Sequence, residues 1–525
     1  VWVAILVCSL SACAAFVRVD PSHHVFRDEQ GRELTFHGVN AVVKQFPYVA
    51  DTNAFSPSIS ITEKDAVLLR SWGINVVRLG VMLEGVFPND RGVNTSYLEA
   101  TKHVVDTLWA HGVYTIIDYH QDVLSKGVCG GDGVPVWMLA NISEIHSLPF
   151  PLPAALKPVV IDPKTGLPEH CSGNPAMYYT ADIVGKLFQR LFDGLPPVAP
   201  WVDRYWDAVA AAFAEHPGVL GYELINEPWV GDHIKDPLLL VDAKRADKIN
   251  LTPFYQRLHT IIRKHDDRHI IFYEPTQWTN DLIEHVGFTV GPGGEEYNDR
   301  QALAFHNYCI FEKGTDAGGP AQGLPRKVCN MTDAATLAKR QEDAKTLSTA
   351  LFMTEFGAVN DSHNGITEID YVASLAENET PQLSWAYWAW KPWGADDHAY
   401  WAPSAWSDSL YFPNGTLQQA KVNALSRPYV PAVAGALLST QFTAGRFQIR
   451  WCAAVGQSTE VFLGTGNFPR GFSVDITPSD GVSWSRTTHG ALLSLASPDG
   501  PSDSTVCPAD TVGPLTAVFH HPVMQ

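Results

Sequence analysis

Positive charge is what this chain has least of. Lysine and arginine number 37 against 56 aspartates and glutamates, a formal net charge of −19. That balance excludes a surface built for nucleic acid or for an anionic membrane, both of which are met with clustered Lys and Arg. Long apolar runs are also scarce. The sustained one opens the chain at Val1–Val7 and is too short to span a bilayer as a helix, so no transmembrane segment is expected. No Gly-rich phosphate fingerprint follows the first apolar strand, which argues against a dinucleotide-binding fold. The cysteines lack the close paired spacings of a zinc site. Repeats of solenoid period and low-complexity tracts are missing as well.

What the first residues do show is a short apolar stretch followed by Ala12-Cys13-Ala14, the small-residue pattern of a signal-peptide cleavage site. Residues 1–15 are therefore expected to be a leader. With no initiating Met and no basic segment before it, the leader is expected to lack its first residues. Its removal takes Cys8 and Cys13 and leaves Cys129, Cys171, Cys309, Cys329, Cys452 and Cys507. An even count on a secretory route reads as disulfides, and the sequential pairing 129–171, 309–329, 452–507 is the most economical. Sequons at Asn94, Asn141, Asn250, Asn330, Asn360, Asn378 and Asn414 agree with that route. Secretion is the expectation, with a lysosome as the alternative, and a monomer is the simplest state.

At 525 residues the chain is too long for one ordinary domain. Val25–Glu33 reads as a small hairpin placed to close a barrel floor. Apolar strands are then predicted at Leu34–Val42, Ile74–Val81, Tyr114–His120, Val219–Ile225, His269–Glu274, Ala302–Cys309, Ala350–Phe356 and Leu383–Trp390. Helical patterns alternate with them, such as Glu63–Trp72, opened by Thr62 with Asp65 three residues on. Ser96–His111 and Asp203–His216 are others. This alternation predicts an α/β fold, a (β/α)8 TIM barrel, rather than an open doubly wound sheet. Two long insertions interrupt it, Val123 to about Thr180 and Trp229 to about Asn250, and connections of that length are usually functional. Near Ser426–Pro431 the pattern changes to short alternating runs such as Phe447–Cys452 and Leu515–His520, the signature of a β-sandwich. The expected division is a barrel over 16–428 and a sandwich over 429–525.

The chemistry centres on Gly221-Tyr-Glu-Leu-Ile-Asn-Glu-Pro-Trp229. An apolar strand there stops where Pro228 denies the ladder an N–H, placing Asn226 and Glu227 at the carboxyl end, where barrel enzymes carry their catalytic groups. An amide beside a carboxylic acid suits a sugar hydroxyl and a leaving oxygen. Glycoside hydrolysis needs a second carboxylate. Glu355, in Ala350-Leu-Phe-Met-Thr-Glu-Phe-Gly357, ends another strand on the facing side. A lone strand-end Glu is more often an ion-pair partner; two in these contexts predict an acid/base, Glu227, and a nucleophile, Glu355. Glu223 and Glu274 compete, but Glu223 lies deeper and reads as bonded to a buried base, and Glu274 is a weak competitor. Arg78 is placed to pair with Glu355 and keep it ionised. His120, His306 and Tyr308 suit hydrogen bonding to sugar and carboxylates, although a strand histidine alone is more often a core residue. Of sixteen tryptophans most serve packing, while Trp388 and Trp390 share one strand face, which places one of them to floor a sugar subsite and leaves the other to packing.

Arg78, His120, Asn226-Glu227-Pro228, His306 with Tyr308, Glu355-Phe356-Gly357 and Trp388 together resemble the family 5 glycoside hydrolases. That resemblance spans roughly Leu34 to Trp390 and implies a (β/α)8 fold, retention of configuration, and neither metal nor organic cofactor. Val42-Val43-Lys44, Asp118-Tyr-His-Gln-Asp122 and His306-Asn-Tyr-Cys309 look like the endoglycoceramidases of that family, as does the C-terminal sandwich. These enzymes cut between the glycan and the ceramide of glycosphingolipids. By resemblance Lys44, His120, Asp122, Asn226 and Gln277 would contact the sugar at the scissile bond. The implied partner is a glycosphingolipid at a membrane or micelle surface, which the two apolar insertions favour independently. The alternatives are a secreted β-glucanase or glucosylceramidase of the same family and, ranked lower, a non-catalytic glycolipid-binding protein, which would have no use for both glutamates.

Overall fold

Short β-branched and aromatic runs with no polar face are stable as strands only when both faces are covered, and eight such runs here close on one another. The computed structural model describes residues 16–128, 131–139, 175–309, 319–393, 402–464, 466–496, 506–508 and 510–522. The expected leader, Cys129, Cys171 and most of the first insertion lie outside the described residues. Parallel strands His37–Ala41, Val76–Gly80, Tyr114–Asp118, Val219–Glu223, Ile270–Tyr273, Gln301–Asn307, Ala350–Gly357 and Ser384–Trp388 form a closed barrel in chain order. Amphipathic helices cover its outside. Ala199–Phe213 turns Val202, Tyr205, Trp206, Val209, Ala210 and Phe213 inward at helical spacing, each large apolar side chain contributing roughly 1.5–3 kcal/mol. Glu63–Ser71 begins at the expected capping box of Thr62 and Asp65. Thr95–Trp109 begins one residue earlier than its pattern predicted because the Asn94 side chain accepts from the Tyr97 N–H.

The strands are shorter than their apolar runs. The first is expected from Leu34, but Glu33–Leu34 pairs antiparallel with Val25–Arg27 and with Ala432-Val433, outside the barrel. The N-terminal hairpin thus belongs to two structures at once. Phe26, Val17 and Val19 pack with Phe36, Ile116, Leu220, Phe272 and Phe352 at the N-terminal end of the barrel, closing its floor. The hairpin's strands also extend the sandwich. The sandwich is a seven-stranded sheet, in the order Arg18–Asp20, Val25–Arg27, Glu33–Leu34, Tyr429–Val433, Ser458–Phe462, Gly490–Leu495 and Val482–Arg486. Facing it is a four-stranded sheet of Gly435–Thr443, Arg446–Ala453, Val512–His520 and Ser473–Thr477. Phe447, Ile449, Trp451, Leu493, Leu515 and Phe519 fill the space between.

Among the described residues, contacts where the chain passes from barrel to sandwich help to hold the two together. The Arg427 guanidinium meets Glu377 at 2.6 Å and Asp370 at 3.1 Å. His37 stacks between Trp385 and Tyr429, with ring centroids 4.2 and 3.7 Å away. Disulfides join Cys309 to Cys329 and Cys452 to Cys507; the remaining expected pair, Cys129–Cys171, is outside the described residues. Among the described residues no helix is long and apolar enough to cross a membrane.

Candidate active site

At the C-terminal rim a single cation organises the carboxylates. Arg78, on the second strand and fully buried, donates through Nη1 to Glu355 Oε1 at 2.6 Å and to Asn40 Oδ1 at 3.1 Å. Its Nη2 donates to Asn226 Oδ1 at 2.8 Å and lies 3.3 Å from Asp118. Its Nε is bonded to Glu223. Only a guanidinium offers five fixed donors to such a ring. Burial alone would lower the pKa of Arg78, but Asp118, Glu223, Glu355 and Glu274 outweigh it and keep Arg78 charged. Glu223 is therefore bound to a buried base, as its depth in the strand implied.

Glu227 owes its aim to a break in the fourth strand. The named strand ends at Glu223, four residues before it, and the chain continues extended, with the Asn226 N–H on the Tyr119 carbonyl at 3.0 Å. Glu227 itself adopts a φ of 40°, a left-handed backbone costly for a residue with a side chain. The Gln121 amide holds this kink, donating to the carbonyls of Asn226 and Glu227, while the Asn226 amide donates to the Gln121 carbonyl at 2.9 Å. Glu355 is aimed by a different device. The register of the seventh strand against the sixth shifts between Met353 and Glu355, a bulge that re-points the side chain. Gly357 then takes a φ of 95°, and a Cβ there would collide with the Tyr387 ring.

Between them stands His306. Its Nδ1 is 2.8 Å from Glu227 Oε1 and 3.5 Å from Glu355 Oε2. Glu355 Oε2 also accepts from the Tyr308 hydroxyl at 2.9 Å. Glu227, His306 and Glu355 each contribute an atom to a cluster whose members all lie within 4.8 Å of one another. Burial and then the negative charge of Asp122 push Glu227 up to about 7, against the pull of His120, Arg78 and Lys44. Burial takes His306 down to about 4 although Glu355 opposes it, so its imidazole is neutral.

A second cluster forms the wall beside the pair. Lys44 is bonded to Asp122, lies 3.1 Å from Asp132, and sits 5.1 Å above the Trp388 ring. His120 stacks on Trp388 at 5.5 Å and shares its Nδ1 with Asp118 at 2.7 Å. Burial would lower the pKa of His120, but Asp118 outweighs it and raises it to about 10, which makes it an imidazolium. The wall thus offers a sugar two cations, two carboxylates and an aromatic face.

The structure brings Lys44, Arg78, His120, Asp122, Asn226, Glu227, His306, Tyr308, Glu355 and Trp388 to one rim. Gln277 reaches the rim by its backbone, whose N–H is held by the Pro228 carbonyl at 3.0 Å, while its side-chain amide faces Asp281 at 3.4 Å. Four participants were not foreseen: Asn40 as a partner of Arg78, Asp118, Gln121 and Asp132. Period two puts Asp118, His120 and Asp122 on one face, a signal that could have found Asp118. Asp132 stands in Gly130-Gly131-Asp132-Gly133, which reads as a plain turn; its N–H pairs with the Asp122 carbonyl at 2.8 Å and brings it back to Lys44.

Comparison with known proteins bears on the family and the fold. Residues 28–394 match the family model described as cellulase (glycosyl hydrolase family 5), and residues 427–506 match the glycoside hydrolase family 5 C-terminal domain. An endoglycoceramidase of Hydra vulgaris is 31% identical over 91% of this chain and 86% of its own. One of Cyanea nozakii is 29% identical over 91% of this chain and 90% of its own. The solved structure of endo-glycoceramidase II from Rhodococcus sp. with ganglioside GM3 shares the fold, with a TM-score of 0.69 at 22% identity over 95% of this chain and 99% of that one. With a family model covering the barrel, a second covering the sandwich and relatives aligned along nearly its whole length, the chain belongs to glycoside hydrolase family 5.

Proposed function

We propose that this protein is an endoglycoceramidase: a retaining endo-glycosidase that hydrolyses the β-glycosidic bond between the oligosaccharide and the ceramide of glycosphingolipids. The observation that carries this reading is the carboxylate pair. An oxygen of Glu227 and one of Glu355 lie within 4.8 Å. A pair this close suits retention, for which the carboxyl groups stand about 5–5.5 Å apart. The full-length likeness to endoglycoceramidases supports the substrate class.

In this account Glu355 attacks the anomeric carbon. Arg78 and Tyr308 each donate to one of its oxygens and so orient it. Glu227, still protonated near neutrality, delivers its proton to the oxygen of the departing ceramide. The sugar is then bound covalently to Glu355. Glu227, now ionised, takes a proton from water as that water attacks the same carbon from the opposite side, and the product keeps its β configuration. The Asn226 amide, the Lys44 ammonium and the His120 imidazolium hold hydroxyls of the sugar over Trp388.

The rim beyond the pair favours a lipid leaving group. The Leu240 carbonyl accepts from Trp278 Nε1 at 3.0 Å, and Trp278 packs on Trp229, two residues past Glu227. This contact presents the helix Leu238–Val241, with Leu238 54% and Val241 79% exposed. Phe46, two residues past Lys44, is 85% exposed. Exposed apolar side chains on the catalytic rim suit the edge of a membrane or micelle. The apolar leader and the sequons support a secretory route, to the outside or to a lysosome. We take 16–428 as the catalytic unit and 429–525 as the sandwich, with the hairpin near residues 18–34 shared between them. The test is incubation with a ganglioside, a globoside and cellulose oligomers, with mass analysis of both products. Intact oligosaccharide and free ceramide are expected. Stepwise loss of monosaccharides, or equal action on cellulose oligomers, overturns the reading.

A further inference from the structure

Beneath the catalytic pair lies a carboxyl group that the mechanism leaves unused. Glu274, at the end of the fifth strand, is fully buried, and neither of its oxygens has a hydrogen-bond partner among the described residues. Its Oε2 is 3.5 Å from His306 Nε2, which is likewise unpartnered, and its Oε1 is 3.7 Å from Arg78 Nη2. The other face of the same imidazole contacts Glu227 Oε1 at 2.8 Å. Among the described residues the ionisable groups around Glu274 include Arg78 from the second strand, with Asp118 of the third on the same guanidinium, Glu223 and Glu227 from the fourth, His306 from the sixth and Glu355 from the seventh, while the Tyr255 hydroxyl donates to the Glu274 carbonyl at 2.8 Å. One guanidinium cannot neutralise that many ionised carboxylates at this depth. Burial, reinforced by Glu223, holds Glu274 well above the usual carboxylate range, so it carries a proton.

We propose that Glu274 is a positioning residue for the acid/base: as a neutral carboxylic acid it donates to His306 Nε2 and so fixes the imidazole with its own proton on Nδ1, aimed at Glu227 Oε1. The inference rests on Glu227 being the acid/base. Its consequence is stereochemical. With Nδ1–H donating, Glu227 Oε1 must accept, and the catalytic proton is forced onto Oε2, where a leaving oxygen can take it. With the opposite tautomer, the bare Nδ1 would attract that proton inward and the acid would be spent on His306. A carboxylic acid kept neutral by an apolar site in order to donate is established chemistry. The 3.5 Å separation is long for a formed bond, and contacts of this kind tighten in the substrate complex. Glu223, Glu274 and His306 are also close enough together to hold a cation, but the guanidinium of Arg78 already occupies the positive position beside both carboxylates.

The experiment separates a hydrogen-bond donor from a charge and from mere packing. Glu274→Gln keeps a donor and removes the ionisable group; Glu274→Met keeps the volume and removes the donor. Each is assayed on a glycosphingolipid, whose leaving group needs a proton, and by the burst of dinitrophenolate from dinitrophenyl lactoside, whose leaving group does not. Glu274→Gln is expected to stay within about 5-fold of the wild type on both, and Glu274→Met to lose about 100-fold or more on the lipid while its burst changes less than about 3-fold. A Glu274→Gln enzyme as impaired as Glu274→Met overturns the proposal, because the carboxylate itself would then be needed. Equal losses of Glu274→Met on both substrates overturn it too, by showing a purely structural role. Should Glu274→Met fail to fold, Glu274→Gln alone decides, since a loss of about 100-fold on the lipid is incompatible with donation. Glu227→Gln serves as the control. If it does not itself show the split between leaving groups, the acid/base assignment has failed; if it does and Glu274→Met does not, only this inference has.

Discussion

The position of the proton on Glu227 makes a prediction that pH can read. Burial and the charge of Asp122 raise Glu227 from 4.5 to about 7, with His120, Arg78 and Lys44 pulling the other way. General-acid catalysis needs the protonated form, so kcat/KM on a substrate with a poor leaving group, such as an alkyl lactoside, is flat on the acid side of that value and falls tenfold per pH unit above it. Between pH 5 and pH 9 the loss is about 100-fold. A carboxyl of ordinary pKa would place the fall two or more pH units lower. Dinitrophenyl lactoside supplies the internal control. Its leaving group departs without a proton, so the burst of dinitrophenolate lacks this alkaline limb. Asp122→Asn removes the negative charge that does most to raise Glu227 and moves the limb to lower pH, whatever it does to the height of the curve. The assay is kcat/KM against pH for the two lactosides with wild type and Asp122→Asn. An alkaline limb shared by both substrates, or one lying near the ordinary carboxylate range, would refute the reasoning.

Two further outcomes are expected. Glu33, buried where the hairpin meets the sandwich, accepts a long bond from the Leu437 N–H at 3.3 Å and is raised by burial from 4.5 to about 7. A folded-state pKa above the unfolded one gives stability that is present below about 4.5 and lost as pH rises through about 7, an effect of roughly 3 kcal/mol in full. Glu33→Gln should therefore melt above the wild type at pH 8 and close to it at pH 4.5, and a difference that ignores pH in thermal unfolding would count against the burial argument. The sequons should not be equivalent either. The Asn250 side chain is buried, donating to the Val230 carbonyl at 2.8 Å, whereas Asn378 and Asn414 are exposed. Glycopeptide mapping of protein made on a secretory route should find glycan at Asn378 or Asn414 and none at Asn250, and an occupied Asn250 would contradict the packing of the second insertion.

The barrel was legible because each strand core is a run such as Val219–Glu223 or Ala350–Gly357, buried on both faces, so periodicity mattered less than β-branched and aromatic content. Run lengths misled where an apolar stretch outlasts its ladder. Leu224 and Ile225 look like strand, yet they are the approach to the kink at Glu227. Leu34 reads as the start of the first barrel strand and pairs instead with the sandwich, because a ladder partner some four hundred residues away leaves no local trace. In the sandwich, Tyr429–Val433, Gly435–Thr443 and Val482–Arg486 form strands where no run is predicted; the last is largely exposed and so shows no inward apolar alternation.

The site was legible in its outermost layer. Glu227 and Glu355 announce themselves by strand-end context, and Arg78, His120 and His306 by residue type. What lies behind them was not. Asp118 and Asp132 fix His120 and Lys44 from positions that look like a core strand and a glycine turn. Gln121 holds the left-handed Glu227 through two carbonyl contacts that no spacing rule anticipates. The contacts of Gln277 depend on the short helix Gln277–Asp281 that it opens and on the Pro228 carbonyl that meets its N–H, and the latter is tertiary information.

The central claim, that Glu355 forms a covalent bond to the sugar while Glu227 moves the proton, is tested most directly by trapping the intermediate. The protein is inactivated with a 2-deoxy-2-fluoro lactoside bearing a dinitrophenyl leaving group, digested, and the labelled peptide sequenced by mass spectrometry. The account predicts one label, on Glu355 within Ala350–Gly357. A label on Glu223, Glu227 or Glu274 would contradict it.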